Sequence, residues 1–400
     1  MKKVLFVTYG GGHVKIAIPV IKELKKRGYK ISVLGLTASV LALQEEGIRY
    51  NGLRDYINLF DDKKLIYALG RKYIDANFIP QKGLEKEEIL LYLGLNIYDL
   101  SLQMGSIEKA EVFFHKHGRK EFYPYHTMKK IIQHENPDVI FVTCSVRSEK
   151  AAAIIGNELQ IPVVRVVDLL GDREDIPYQA KVCVINEIAK KNIIDYNSHL
   201  KGADIIITGQ PNLEPTYDYN ELFSLKERYN TDKYKGIISF FSQPKNSQRG
   251  KVIEKLIEFF NSKPEYFCFY KLHPNEDEEF YKKYLSVIPP NMLLKKHIET
   301  NCIVVLSDIV MTFNSTVGLQ AVYTNKPLIT INLSDLPYKM EYSRYGCAVL
   351  LTDLDLLEQY IEKLLDPNDE LNIKLAVNRK KIAMPQGSAL NIADVIDDLL

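Results

Sequence analysis

Apolar runs uninterrupted by polar residues, each followed by a helix-like stretch, limit this chain more than any other feature. Val139-Ile140-Phe141-Val142, directly after Asn136-Pro137-Asp138, has no polar position, as expected of a strand covered on both faces of a parallel sheet. Val4 to Thr8 is another strand, followed by a turn at Gly10-Gly11-Gly12 and an amphipathic helix from Val14 to Arg27 that Gly28 stops. Lys30 to Leu34 is the next strand. After Val142 a helix from Ser148 to Glu158 and a strand from Pro162 to Val167 complete another such unit. Parallel neighbours need a crossover, usually a helix, so this alternation predicts an α/β architecture.

Residues 50–135 break the pattern. They are rich in helix formers, tyrosines and charges, and are expected to form a helical insertion on the first domain. Within it Phe113-Phe114-His115-Lys116-His117-Gly118-Arg119-Lys120 mixes aromatics with bases. A solvated helix end is its plainer reading; a surface for an anionic acceptor or lipid head group is the other. Ile205-Ile206-Ile207 ends in a turn at Thr208-Gly209-Gln210-Pro211, and the polar, tyrosine-rich stretch from Asn212 to Lys235 marks a domain boundary. The expected domains are 1–210 and 211–385, with a terminal helix at 386–400. The second domain restarts with the strand Gly236 to Phe241 and runs through Tyr266 to Tyr270 and Pro327 to Ile331.

Composition excludes more than it selects. The 52 Lys and Arg against 51 Asp and Glu give a net charge of +1, which offers nucleic acid no electrostatic footprint. No apolar run approaches the ~20 residues of a membrane helix, and Val4-Leu5-Phe6-Val7 ends too soon for a signal peptide and reads as the first strand. Peripheral membrane contact and a homodimer stay open. The five cysteines, Cys144, Cys183, Cys268, Cys302 and Cys347, are odd in number and widely spaced, so free, mostly buried thiols in a cytoplasmic protein are expected.

Two strand ends in the second half carry chemistry. Lys271-Leu272-His273-Pro274 closes the aromatic run Tyr266 to Tyr270 with a cation and an imidazole. Asn314-Ser315-Thr316-Val317-Gly318 closes another strand with small polar groups and opens a helical pattern at Leu319-Gln320-Ala321-Val322. Cationic, hydroxyl and helix N-terminal donors together favour a phosphate or diphosphate. The plainer readings are a loop-capping His273 and helix capping by Ser315 and Thr316. In the first half His13 follows the glycines at a helix start, where an imidazole suits proton removal near neutral pH. Asp168, Asp172 and Arg147 follow consecutive strands. Asp168 is the rival base, and a salt bridge to Arg147 or Arg173 is its plainer role. No Asp-x-Asp pair sits convincingly at a strand end, which predicts metal-independent chemistry.

Gly10-Gly11-Gly12-His13 resembles the glycine-rich first loop of lipid-linked N-acetylglucosaminyl transferases, and Thr208-Gly209-Gln210-Pro211 resembles their Thr-Gly-Asn-Pro element. His273-Pro274, Ser315-Thr316 and Ser242-Gln243-Pro244 resemble motifs of bacterial sialyltransferases and capsule Kdo transferases. Together they resemble the GT-B glycosyltransferase superfamily. That resemblance implies two Rossmann-like doubly wound domains facing a central cleft, with the helical insertion in the first. UDP-N-acetylglucosamine 2-epimerases share this fold, and Pro137-Asp138-Val139 to Ser145 follows their Pro-Asp-strand-Gly-Asp pattern. Thr143-Cys144-Ser145 stands where that pattern has its aspartate, however. Ser242-Gln243-Pro244 replaces their His-Arg-Arg, and Asn314-Ser315-Thr316-Val317 their Asp-Ser-Gly-Gly.

The resemblance implies a glycosyltransferase of surface polysaccharide synthesis, moving a sugar from a nucleotide-sugar donor to a glycan, lipid-linked or small-molecule acceptor without a cofactor. Gln243, Lys271, His273, Asn314, Ser315, Thr316, Gly318 and Gln320 would hold the nucleotide sugar, with Gly11 and Gly12 approaching it from the first domain. His13, Asp168 and His273 would carry the proton chemistry. Three alternatives accompany this expectation: an epimerase or hydrolase of sugar nucleotides, a non-catalytic nucleotide-sugar binding module, and a CDP-glycerol-type phosphoester transferase.

Overall fold

The computed structural model describes residues 1–76, 84–214, 217–244, 246–334 and 341–400. The chain forms two compact units, Met1–Asn212 together with Met384–Leu400, and Leu213–Ala383. Each unit is built on a parallel sheet of six strands.

The first sheet contains β1 (Lys3–Tyr9), β2 (Lys30–Leu36), β3 (Val139–Val142), β4 (Val163–Val166), β5 (Lys181–Val184) and β6 (Ile205–Ile207). Their order is β2-β1-β3-β4-β5-β6. Every residue of β3 and β4 is buried, so the uninterrupted apolar runs are explained by cover on both faces. The chain winds from β1 to β2 in one direction and resumes at β3 on the other side of β1, which creates a topological switch point between β1 and β3.

The glycine turn is shorter than the sequence suggests. Only Gly10 has a left-handed φ, 89°, and the helix already begins at Gly11 and runs to Lys26. One residue at positive φ is enough to redirect the strand into the helix, so Gly11, Gly12 and His13 take up the first turn.

Between β2 and β3 lies the expected helical insertion, whose longest helices are Lys63–Tyr73 and Lys86–Met104. These two pack backbone to backbone. A Cβ on Gly70 would lie 2.3 Å from the Leu90 oxygen, and one on Gly94 would lie 2.2 Å from the Ile66 oxygen. The helix Tyr125–Glu135 is started by buried Asp99, whose two carboxylate oxygens accept the His126 and Thr127 N–H groups at 2.8 Å each.

The terminal helix Ser388–Asp397 belongs to the first unit. Its Asp394 and Asp397 pair with the Arg27 guanidinium at 2.7 and 2.5 Å. The Thr208-Gly209 turn receives the same segment: Asn391 Nδ2 donates to Thr208 O at 3.1 Å. A Cβ on Gly209 would lie 2.3 Å from Ser388 Oγ.

The second sheet contains β7 (Gly236–Phe241), β8 (Tyr266–Lys271), β9 (Met292–Lys295), β10 (Ile309–Thr312), β11 (Leu328–Ile331) and β12 (Val349–Leu351). They are ordered β12-β11-β10-β7-β8-β9. Central β7 is buried along its whole length, and its Phe240 packs with Tyr270, Phe260 and Phe313 in the core. The edge strands β9 and β12 were not evident from the sequence pattern. The order in which the chain adds strands to this parallel sheet reverses between β7 and β10. All five cysteines are buried and free. No helix among the described residues is long and apolar enough to cross a membrane.

Candidate functional site

Ligands of open doubly wound sheets bind outside the carboxyl ends of the strands, at the switch point. In the second unit that point lies between β7 and β10, where Ser242-Gln243 and Phe313-Asn314 emerge. The two loops are tied together, since the Asn314 N–H donates to Gln243 Oε1 at 3.2 Å. β8 flanks β7 on the other side, so His273 leaves the sheet two strands from Asn314, roughly 10 Å across at the usual strand spacing.

His273 is held from two directions. Its N–H donates to Glu276 Oε2 at 2.7 Å, and its Nδ1 accepts the Asn275 N–H at 3.0 Å. With Nδ1 occupied as an acceptor, the ring proton resides on Nε2, which makes that atom the donor. Glu276 organises the whole loop from a site only 3% exposed. Its Oε1 accepts Ser242 Oγ at 2.8 Å and the Tyr281 hydroxyl at 2.6 Å, and lies 3.5 Å from Arg249 Nη1. Lys296 Nζ donates to the Glu276 carbonyl at 2.9 Å.

The remaining expected residues of this unit divide between partly exposed and internal positions. Lys271 is buried, and its ammonium lies 3.4 Å from the Leu272 oxygen and 3.5 Å from the Lys296 oxygen. Burial pulls its pKa below the usual lysine range, partly offset by Glu299 and Glu276. Ser315 Oγ accepts the Val317 N–H at 3.3 Å from one residue before the N-cap Thr316, whose own side chain makes no capping bond. Thr316 is exposed beside it. The helix they open is short, Val317–Tyr323, so its dipole adds little. Gly318 faces a side chain: a Cβ there would lie 2.4 Å from the Tyr342 ring, whose hydroxyl donates to Ser315 O at 2.7 Å. Gln320 Oε1 is buried without a hydrogen-bond partner among the described residues.

In the first unit the switch point joins Tyr9-Gly10, at the end of β1, to Ser145-Val146-Arg147, beyond β3. Arg147 has φ 51°, a left-handed conformation rare for a non-glycine residue. Its guanidinium lies 4.9 Å over the Tyr9 ring and its Nε donates to Arg119 O at 3.1 Å. The Tyr9 and Tyr92 hydroxyls are 3.2 Å apart. Burial, with Tyr9 beside it, holds the Tyr92 hydroxyl well above the usual phenol range. His13 is half-buried in the first helical turn, and its Nδ1 has no hydrogen-bond partner among the described residues. Cβ atoms built on Gly10 and Gly12 would meet nothing within 4 Å, and the Gly11 Cβ only Ala38 O at 4.0 Å.

Asp168 is bonded to Gln210, whose Nε2 donates to Asp168 Oδ1 at 3.0 Å and whose Oε1 accepts the Leu169 N–H at 3.2 Å. The ion pair with Arg147 or Arg173 expected as its plainer role is replaced by this amide clamp. Where the epimerase pattern has its aspartate, Glu149 reaches back from the helix Arg147–Glu158. Its Oε2 accepts the Cys144 N–H at 2.9 Å and the Thr143 hydroxyl at 3.0 Å. Glu149 is fully buried, and while its Oε2 shapes the loop its Oε1 has no hydrogen-bond partner among the described residues.

Sequence reasoning missed Glu276, Tyr92, Tyr342 and Glu149. Glu276 had a readable signal, an acid three residues after His273 that caps its N–H, the spacing of a capping box. Among the described residues no group of three or more His, Cys, Asp or Glu is placed to hold a metal ion.

No family model matches the sequence, and no curated protein matches it. Solved structures match along the whole chain. The UDP-GlcNAc 2-epimerase from Neisseria meningitidis bound to UDP-GlcNAc is 14% identical, covers 99% of each chain and gives a TM-score of 0.60. The UDP-GlcNAc 2-epimerase from Methanocaldococcus jannaschii is 14% identical over 100% of this chain and 99% of that one, with a TM-score of 0.59. MurG from Acinetobacter baumannii is 14% identical over 100% of both chains, with a TM-score of 0.57. With these matches and the two sheets, the fold is GT-B: two Rossmann-like units with a helical insertion in the first.

Proposed function

We propose that this chain is an enzyme that acts on a nucleotide sugar, of the epimerase or hydrolase kind that needs no separate acceptor. The observation that carries the reading is the second unit's switch point. There Gln243 and Asn314 are bonded to each other, and His273 stands two strands away with its proton fixed on Nε2. A donor at that spacing suits the diphosphate of a nucleotide sugar. Its Nε2–H would stabilise or protonate the departing phosphate oxygen, a charge-assisted contact of roughly 1.5–3 kcal/mol. Such contacts do the work a metal ion does elsewhere, and the donors here are side chains and backbone N–H groups. The epimerase choice draws on the whole-length likeness to two UDP-GlcNAc 2-epimerases.

A second reading, sugar transfer to a glycan or lipid-linked acceptor in surface polysaccharide synthesis, is favoured by Ser242-Gln243-Pro244 and Thr143-Cys144-Ser145. Those segments depart from the epimerase pattern at its catalytic positions. Incubating the protein with UDP-, CDP- and CMP-sugars and no acceptor separates the two. The main reading expects free nucleotide or an altered sugar to appear, and to fall at least tenfold in His273→Ala. Consumption only after an acceptor is added would replace it with transfer. No consumption under either condition would sink both.

A further inference from the structure

We propose that the outward face of the helix Ile107–His117, in the first unit's insertion, docks on an anionic lipid surface. The face lies wholly within one unit, and its binding is independent of the nucleotide-sugar reading. Of the two readings of Phe113 to Lys120, the head-group surface is the one this helix supports.

Successive residues of a helix point about 100° apart, which divides the aromatic pair. Phe114 turns inward, its ring 5.1 Å from that of Tyr73 and 5.3 Å from that of Phe122. Ala110, one turn earlier, is buried with it. The far side carries Lys109, Val112 and Lys116, spaced by three and four residues and all exposed. A face turned only to water is expected to be polar throughout, yet Val112 stands in the middle of this one, 69% exposed. Val112, Phe113 and, from the preceding helix, Met104 share one shallow groove of about 410 Å³. Lys109, Lys116 and His117 line it with bases, and Glu108 is its acid. The Phe113 ring is braced by the His117 ring, 4.5 Å away.

The charge suits an anionic partner. Glu111 is turned away to Lys72 and the Tyr73 hydroxyl, at 2.7 and 2.9 Å. Exposed Arg119 and Lys120 follow the helix end. Among the described residues Lys109, Lys116, Arg119 and Lys120 make no ion pair, and the acids that stand against them are Glu108 and Glu121. At a bilayer the apolar groups enter the acyl boundary while lysine stems reach back to phosphate. Each base near such a surface is worth about fivefold in affinity. A second copy of the chain fits this face less well, because a two-fold contact would set its lysines against their own copies. A helix end that is merely solvated is the other competing explanation, and it predicts no lipid effect.

Cosedimentation of the whole chain with vesicles, without nucleotide, tests this. Equimolar phosphatidylglycerol and phosphatidylcholine vesicles are compared with phosphatidylcholine alone, at low and at high salt. The parent is expected to bind the anionic vesicles about tenfold or more tightly than the neutral ones, and to lose that margin as salt rises. Lys109→Gln combined with Lys116→Gln is expected to weaken binding by about tenfold or more. Val112→Asn, which removes only apolar surface, is expected to weaken it severalfold at both salt concentrations. Lys374→Gln combined with Lys380→Gln makes the same charge change on the helix Glu370–Lys381 of the second unit and is expected to leave binding unchanged. All the altered side chains are exposed, and unchanged melting points check that the variants fold. No binding to anionic vesicles, equal binding to both kinds, or an equal loss in the Lys374 and Lys380 pair would overturn the proposal. So would a Val112→Asn protein that binds as the parent does. A parent that ignores vesicles but is dimeric by light scattering, and monomeric as Val112→Asn, would assign the face to a second copy instead.

Discussion

Replacing Glu276 with alanine removes the acceptor of four groups at once. Ser242 Oγ, the Tyr281 hydroxyl and the His273 N–H lose bonds of 2.6 to 2.8 Å, and Arg249 loses a carboxylate at 3.5 Å. Ser242 and Tyr281 are 4% and 1% exposed, and their hydroxyls, 3.0 Å apart, can satisfy only one of their two donors between them. Each buried donor left unsatisfied costs about 1–3 kcal/mol, and breaking a buried charged network costs about 3–5 kcal/mol. For a unit of this size a loss of 1 kcal/mol lowers Tm by about 2–4 °C, so Glu276→Ala is expected to unfold at least ~6 °C below the parent. Glu276→Gln keeps one acceptor oxygen and is expected to fall between the two. Urea unfolding followed by circular dichroism gives the free energy. His273 loses its N–H anchor in Glu276→Ala, so nucleotide affinity is expected to fall with stability in that variant. A Glu276→Ala protein within about 1 kcal/mol of the parent would refute the claim that this carboxylate builds the loop.

Gly318→Ala would drive a Cβ to 2.4 Å from the ring of Tyr342, and overpacking of that kind is expected to lower stability by about 1–3 kcal/mol; an unchanged melting point with lost nucleotide binding would instead assign the glycine to the ligand. Gly94→Ala is expected to loosen the crossing of Lys63–Tyr73 with Lys86–Met104, read as faster amide exchange in both helices, and unchanged exchange would contradict the 2.2 Å contact with Ile66 O. Glu135 supplies a pH test. Burial works to raise its pKa, but the Lys3 ammonium with the Tyr56 and Ser32 hydroxyls holds it below the usual carboxylate range. Its stabilising contribution is therefore complete above the unfolded value of about 4.3 and is lost as pH falls through the lower folded value. Glu135→Gln is expected to be less stable than the parent at pH 7 and to show a smaller further loss on acidification, and parallel urea midpoints from pH 7 to 3 would contradict it.

Much of the fold was legible because burial on both faces writes itself into the sequence as apolar runs. Val139 to Val142 and Gly236 to Phe241 read as strands and are buried strands. The edge strands β9 and β12 escaped notice because one partner and one covered face leave only a short, mixed signal, as in Met292-Leu293-Leu294-Lys295. The helix start at Gly11 was misjudged since three glycines signal a turn, whereas the structure needs positive φ only at Gly10. Within the site, His273 and Asn314 could be placed on strand ends, but their partners could not. The Gln243–Asn314 bond joins residues far apart in sequence, as does the stack of Arg147 on Tyr9. Long-range pairs of that kind leave no local pattern, while Glu276, three residues from His273, did.

The central claim is that the second unit's switch point takes a nucleotide diphosphate through His273. Isothermal calorimetry of UDP, CDP, CMP and GDP against the parent and His273→Ala, without and then with magnesium, tests it most directly. One nucleotide is expected to bind the parent without magnesium and at least tenfold more weakly in the variant, a difference of about 1.4 kcal/mol. Equal affinity in the two proteins, or no binding of any nucleotide, would contradict the account.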